Sequence, residues 1–181
     1  MVQAILRGCK TQTRRLIKGL NPFYSEDFDG KLYIADEDGD MKPAETFHKL
    51  KKGDTVYVRE TWQAIEINND GAVFVYKADM SHRRVKISRT DRMKLEQNMN
   101  SGWKPSIHMP KIAARLFLRV KDVRAEKLQD ITAEDIKAEG VENEEEFKRL
   151  WDSTLTPAQL DKYSWAENPW VYVIEFERIN E

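Results

Sequence analysis

Apolar and polar positions alternate with a period of two over several short stretches of the chain, the pattern of half-buried strands. Thr55-Val56-Tyr57-Val58-Arg59 alternates in this way, and Lys31-Leu32-Tyr33-Ile34-Ala35 runs into the turn-rich Asp36-Glu37-Asp38-Gly39-Asp40. Gln63-Ala64-Ile65-Glu66-Ile67 and Ala72-Val73-Phe74-Val75-Tyr76 are separated by Asn68-Asn69-Asp70-Gly71, a hairpin signal because Asp-Gly accepts the positive φ of tight β-turns. Ala114-Arg115-Leu116-Phe117-Leu118-Arg119-Val120 and Trp170-Val171-Tyr172-Val173-Ile174-Glu175-Phe176 are apolar enough to be central strands of a closed or nearly closed sheet. Helical signals are fewer. Thr132-Ala133-Glu134-Asp135 has the Thr-x-x-acid form of a helix start and Gly140 ends that helix, while a second helix over 144–152 puts Phe147, Leu150 and Trp151 on one side. Residues 20–30 and 78–103 read as loops or weak helix. The pattern predicts an α+β fold, mainly β.

Composition narrows the picture. At 181 residues the chain suits one domain spanning 1–181, with insertions expected at 20–50 and 78–103. The formal net charge is -1 although 34% of the residues are charged, so the molecule as a whole is not an electrostatic sponge for nucleic acid. Local charge differs: Arg7, Lys10, Arg14, Arg15 and Lys18 have no acidic neighbour before Glu26, and Arg83, Arg84, Lys86, Arg89, Arg92 and Lys94 enclose only Asp91. Such segments permit contact with RNA or another single-stranded nucleic acid without requiring it, since charge runs also form solvated faces. Cys9 is the one cysteine, which fits a reducing compartment and makes a thiolate metal site implausible. No apolar stretch approaches the ~20 residues of a membrane span and the N-terminus lacks a signal-peptide core, so a cytoplasmic location and no membrane partner are expected.

Candidate chemistry concentrates in Gly8-Cys9-Lys10-Thr11-Gln12-Thr13-Arg14-Arg15, directly after the apolar run Val2-Gln3-Ala4-Ile5-Leu6-Arg7. A glycine at the end of a helical run lets the backbone leave through a left-handed residue, so the basic segment is expected on a turn. Lys10 and Thr13 then pair a proton acceptor with a nucleophile, and Arg14 and Arg15 can hold a phosphate or a carbonyl oxygen. Glu139 stands at the C-terminal end of its helix, where the macrodipole disfavours a negative charge by up to about 1 kcal/mol. Placed beside Lys10 and Thr13, that carboxylate would complete an acid–base–nucleophile set.

These residues resemble a known family. Lys10-Thr11-Gln12-Thr13-Arg14-Arg15, the Lys52-Gly53-Asp54 turn before Val56-Tyr57-Val58, the helix from Ile131 to Gly140 and the closing Val171–Phe176 strand together resemble the ASCH domain, a PUA-like superfamily of small β-barrels with short flanking helices. Val58-Arg59-Glu60-Thr61-Trp62 and Trp103-Lys104-Pro105-Ser106-Ile107-His108-Met109-Pro110 look like the longer phage and prophage branch. In the bacterial branch that removes the acetyl group from N4-acetylcytidine, the reacting residues are a lysine and a threonine of a Lys-Thr-x-Thr motif and a glutamate near the end of the helix. These fall on Lys10, Thr13 and Glu139 here. The resemblance implies amide hydrolysis without metal or other cofactor: Lys10 takes the proton of Thr13, the threonine oxygen attacks the acyl carbon, and Glu139 positions the lysine or relays a proton. Arg14, Arg15 and Arg59 are the expected substrate-binding cations, Arg15 at the oxyanion or the pyrimidine carbonyl. Gly8-Cys9-Lys10 stands where the family more often has Gly-Arg-Lys.

Trp62 and Trp103 flank polar and basic positions and can stack on a base, although core packing is the stronger expectation for Trp62, Trp151 and Trp170. His108, between two prolines, is a candidate for lining the pocket. His48, His82 and His108 show no metal spacing. Two function classes therefore stand: a metal-independent amidohydrolase acting on an acylated pyrimidine nucleoside or related small molecule, or a module that binds RNA or a modified base without turnover. A ribonuclease with Lys10 as its base is a third.

Overall fold

The computed structural model describes residues 1–18, 24–26, 31–36, 38–96 and 102–179. In chain order the elements begin with α1 (Val2–Leu6), β1 (Gln12–Leu16), β2 (Tyr24–Glu26), β3 (Leu32–Ala35), β4 (Met41–Pro43), β5 (Thr55–Tyr57), β6 (Trp62–Asn68), β7 (Gly71–Tyr76), β8 (His82–Val85) and α2 (Arg89–Glu96). They continue with β9 (Phe117–Lys127), α3 (Ala133–Ala138), α4 (Glu144–Ser153), α5 (Pro157–Tyr163) and β10 (Trp170–Ile179). The class is α+β with strands dominant. The chain divides into two compact units: the first holds Gln3–Asp54 and Arg119–Arg178, the second Thr55–Leu118 with Ile179. Among the described residues no helix is long and apolar enough to cross a membrane. Part of the expected loop over 20–30, and residues 97–101 of the stretch 78–103, lie outside the described residues.

In the first unit β1 pairs antiparallel with β10, which pairs in turn with β9. Helices α3 and α4 cover this sheet because their apolar stripes match it: Ile136, Phe147 and Trp151 pack with Val171 and Val173 of β10 and with Leu128, whereas Leu150, expected on the same side of α4, is exposed. A smaller cluster of Ile17, Leu32, Ala44 and Trp170 holds the three-stranded sheet β2-β3-β4. The Thr132 start signal is realised in full. Asp135 N–H donates to Thr132 Oγ1 at 3.1 Å and Thr132 N–H donates to Asp135 Oδ2 at 3.3 Å, a reciprocal cap that satisfies two donors the helix itself leaves unpaired.

The second unit is built on the predicted hairpin, with β8 added at its edge in the order β6-β7-β8. Asn68 pairs with Gly71 across the turn, and Asn68 Oδ1 accepts from the N–H groups of Asp70 and Gly71 at 2.8 and 3.1 Å. The positive φ falls on Gly71, at 147°, rather than on Asn69 or Asp70. A Cβ there would lie 2.2 Å from the Val85 carbonyl oxygen, so only glycine fits. All six residues of β7 are buried, which is why its sequence is a continuous apolar run. Trp62 meets Phe74 edge-on at 5.7 Å, and the Tyr76 hydroxyl donates to the Ala113 carbonyl at 2.8 Å. Arg115 makes a forked pair with buried Glu60 at 2.7 Å on both oxygens, lies 4.1 Å from the Tyr76 ring centroid, and also binds Asp79. That last bond holds the Asp79 carboxyl down to about 2.

Three local expectations change. Gln12–Leu16 is a strand rather than a turn, because its backbone continues the ladder of β10. Ala114–Leu116 lies outside β9: Ala114 N–H closes a 3-10 turn on Lys111 O at 2.9 Å, and Arg115 is drawn to Glu60. Within 78–103 stand a strand, β8, and the two-turn helix α2, whose one buried residue is Leu95.

Candidate functional site

The first unit gathers a buried charged cluster where β1 meets the end of α3. Helix α1 ends at Gly8, whose φ is 75°, and Cys9 and Lys10 N–H groups both return to the Ala4 carbonyl, at 2.9 and 3.2 Å. Thr11 N–H then donates to Ala138 O at 2.8 Å, which sets Lys10 opposite Glu139 as an isolated bridge. Gly140 makes this approach possible. It has φ 81°, and a Cβ on it would lie 3.0 Å from the Ala4 Cβ and 3.2 Å from the Lys10 Cβ.

Strand periodicity decides which side chains enter the cluster. Lys10, Gln12 and Arg14 are 7%, 3% and 3% exposed, whereas Thr11 and Arg15 are exposed and Thr13 is half-buried. Alternate residues of a strand face opposite sides, so Lys10, Gln12 and Arg14 share the inner face. The Lys10 ammonium donates to Glu139 Oε2 at 2.5 Å and to the Glu139 carbonyl at 2.8 Å. Arg14 Nη1 donates to the other carboxylate oxygen at 3.4 Å and to Gln12 Oε1 at 2.7 Å, and its Nη2 reaches Glu126 Oε1 at 2.5 Å and Asp135 Oδ2 at 3.1 Å. Gln12 Nε2 donates to Asp135 Oδ1 at 3.0 Å. Arg124 completes the cluster against Glu126 and Glu175. Glu139, 7% exposed, therefore lies between two cations, which offsets its unfavourable place at a helix C-terminus.

Burial is the largest influence on Lys10 and lowers its pKa below the usual lysine range. The Glu139 carboxylate opposes that shift, and the Arg15 and Arg14 cations reinforce it. A lysine of this kind gives up a proton more readily than a solvated one, and the adjoining carboxylate can orient it. Burial pushes the Asp135 carboxyl up, but the Gln12 bond, the Thr132 N–H and the Arg14 and Arg124 cations outweigh it and leave the group lowered. Among the described residues no group of His, Cys, Asp and Glu is arranged to hold a metal ion.

Of the expected site residues, Lys10, Arg14 and Glu139 meet. Thr13 sits on the other face of β1, opposite Ile174 of β10, and Arg15 stands exposed on that same face. Arg14 serves the carboxylates of the cluster with 1% of its side chain exposed, leaving it little freedom to bind substrate. In the second unit Arg59 donates to the Ile107 carbonyl at 3.3 Å and stacks over Tyr57, while Trp103 and His108 line one cavity whose wall also includes Trp62, which is 2% exposed and packed in the core against Phe74 rather than open to stack on a base. Gln12, Glu126 and Asp135 are additional members of the Lys10 cluster. The period-two spacing of Lys10, Gln12 and Arg14 carries their signal once β1 is known to be a strand. No family model, no curated protein and no solved structure matches the chain.

Proposed function

We propose that this chain is an ASCH-type, PUA-like amidohydrolase that removes the acyl group from an acylated pyrimidine nucleoside or a related small amide, with Lys10 and Glu139 as its acid–base pair. The observation that carries the reading is the 2.5 Å contact between Lys10 and Glu139, two residues 129 positions apart in sequence, buried together with the lysine pKa lowered. Neutral Lys10 accepts the proton of the attacking group, Glu139 fixes the amine in place, and the resulting ammonium supplies a proton to the leaving nitrogen.

Two nucleophiles fit this scheme. In the route that the family resemblance implies, the Thr13 oxygen attacks and an acyl-threonine forms, then water releases the acid. The facing of β1 favours the second, in which Lys10 activates water directly, because Thr13 shares its face with Arg15 and not with Lys10. Release of cytidine from N4-acetylcytidine by the parent protein and by Lys10→Ala, Glu139→Gln and Thr13→Ala tests both. Lys10→Ala abolishes turnover on either route. Thr13→Ala abolishes it on the acyl-threonine route and leaves it within about tenfold on the water route. Absence of turnover by folded parent protein on acylated cytidine and on simple acylated pyrimidine bases refutes the reading.

A further inference from the structure

The second unit contains a cavity of about 510 Å³ lined by Trp62, Trp103, Lys104, His108 and both Lys94 and Asp91 of α2, within the range of ~300–1,000 Å³ typical of small-ligand sites. We infer that this cavity binds a nucleoside monophosphate, its base against the Trp103 indole and its phosphate at the Lys104 ammonium. The inference stands on this unit alone and does not depend on the hydrolase reading.

Lys104 carries the argument. Its backbone is locked to Trp62 in both directions, Lys104 N–H donating to Trp62 O at 2.8 Å and Trp62 N–H to Lys104 O at 3.2 Å. The residue as a whole is only 9% exposed, but its ammonium stays open to the cavity, and among the described residues it has neither a carboxylate nor a hydrogen-bond acceptor. What it has is the Trp62 ring face, with the centroid 5.3 Å away. A cation–π contact leaves the N–H donors of the ammonium without a protein acceptor. Burial accordingly lowers the Lys104 pKa, with no carboxylate acting against it. Elsewhere in this unit a comparably buried cation is handled differently: Arg115 has both Glu60 and Asp79. An anion entering the cavity would give Lys104 the partner it lacks.

The remaining walls select for a planar anion. Trp103 is 36% exposed and lines the cavity beside Pro105, whose ring fixes the chain direction after Lys104. An indole face accepts any base by stacking. Lys94 adds a second positive charge to the lining. Among the described residues Asp91 is the one carboxylate in the lining, and it accepts from Ser88 Oγ at 2.7 Å. A doubly charged phosphate draws more from this surface than a carboxylate does.

Isothermal titration calorimetry of the full chain with AMP, adenosine and inorganic phosphate tests the assignment. AMP binds, and adenosine binds at least about tenfold more weakly because it lacks the charged group. Lys104→Met brings AMP to the level of adenosine, Lys104→Arg retains most of the affinity, and Trp103→Ala weakens both ligands about tenfold or more. Short oligonucleotides with and without a 5′-phosphate separate two sources of the same chemistry: tighter binding of the phosphorylated strand than of AMP assigns the site to a strand end, and equal or weaker binding assigns it to the free nucleotide. No AMP binding by the parent protein at millimolar concentration overturns the inference. So does a Lys104→Met protein with an unchanged unfolding midpoint that binds AMP as the parent does.

Discussion

Replacing Glu139 by Gln keeps the shape of the side chain and removes the one carboxylate, among the described residues, bonded to Lys10. Removing one member of a buried ion pair costs roughly 3–5 kcal/mol when the other charge is left without a partner. Here the Glu139 backbone carbonyl, 2.8 Å from the ammonium, stays in place, and Arg14 keeps Glu126 and Asp135. The expected loss at neutral pH is therefore lower, about 2–4 kcal/mol. The loss depends on pH in a definite direction. Folded Lys10 has its pKa lowered from 10.5, so the unfolded chain binds more protons in the window between the folded value and 10.5, and stability from this group rises with pH across that window. Glu139 is the group that opposes the lowering, so without it the window opens at lower pH and the variant gains more on the same ramp. Urea unfolding of both proteins at about pH 6 and about pH 9.5 measures this, the gap being wide at the first and narrower at the second. Adding Lys10→Met to the variant recovers part of the loss, since a buried pair replaced on both sides is often near neutral. A gap that is unchanged or wider at the higher pH, or one below about 1 kcal/mol at the lower, refutes the account of Lys10 as a buried cation held by Glu139.

Other expectations follow from the same geometry. Gly140→Ala places a side chain at φ 81° and within 3.0 Å of Ala4, and costs about 2 kcal/mol or more in chemical denaturation, with turnover falling as Lys10 is displaced. Arg115→Leu leaves Glu60, 3% exposed, as an unpaired buried carboxylate and lowers stability by roughly 3–5 kcal/mol, read as a drop in the thermal midpoint. If Lys10 is the base, the alkaline rise of kcat/KM reports its titration. Arg15→Ala moves that rise to higher pH by removing a repelling cation, and Glu139→Gln moves whatever activity survives to lower pH.

How far the chain could be read in advance depended on whether apolar pattern and burial coincide. They do in β7, β10, α3 and α4, where apolar residues form the inner face, and those elements stand where the sequence puts them. They do not in β1, whose inner face is Gln12 and Arg14, so a search for apolar alternation finds no strand there. The far half of β9, Lys121–Lys127, is hidden in the same way by Asp122, Arg124 and Glu126, and β8 sets Arg83 beside Val85 on its more buried face. Helix α5 was not anticipated, because its apolar period is weak; its start is held by a reciprocal cap between Thr156 and Gln159 with Pro157 in the first turn. Lys10 and Glu139 were named as candidates by the family resemblance, but that they meet in space was shown only by the fold. The facing of Thr13 was not legible either, because it required knowing that the motif continues into a strand.

The buried side of β1 has a consequence for how the protein is made. Gln12 bonds Glu175, 163 residues later, so on the ribosome, at roughly 5–20 residues per second, β1 emerges long before the strand it pairs with. A strand whose inner face was apolar would spend that interval as an adhesive edge. Lys10, Gln12 and Arg14 instead hold water until β10 arrives, and the charge that later forms the candidate site keeps the waiting segment from sticking to its neighbours.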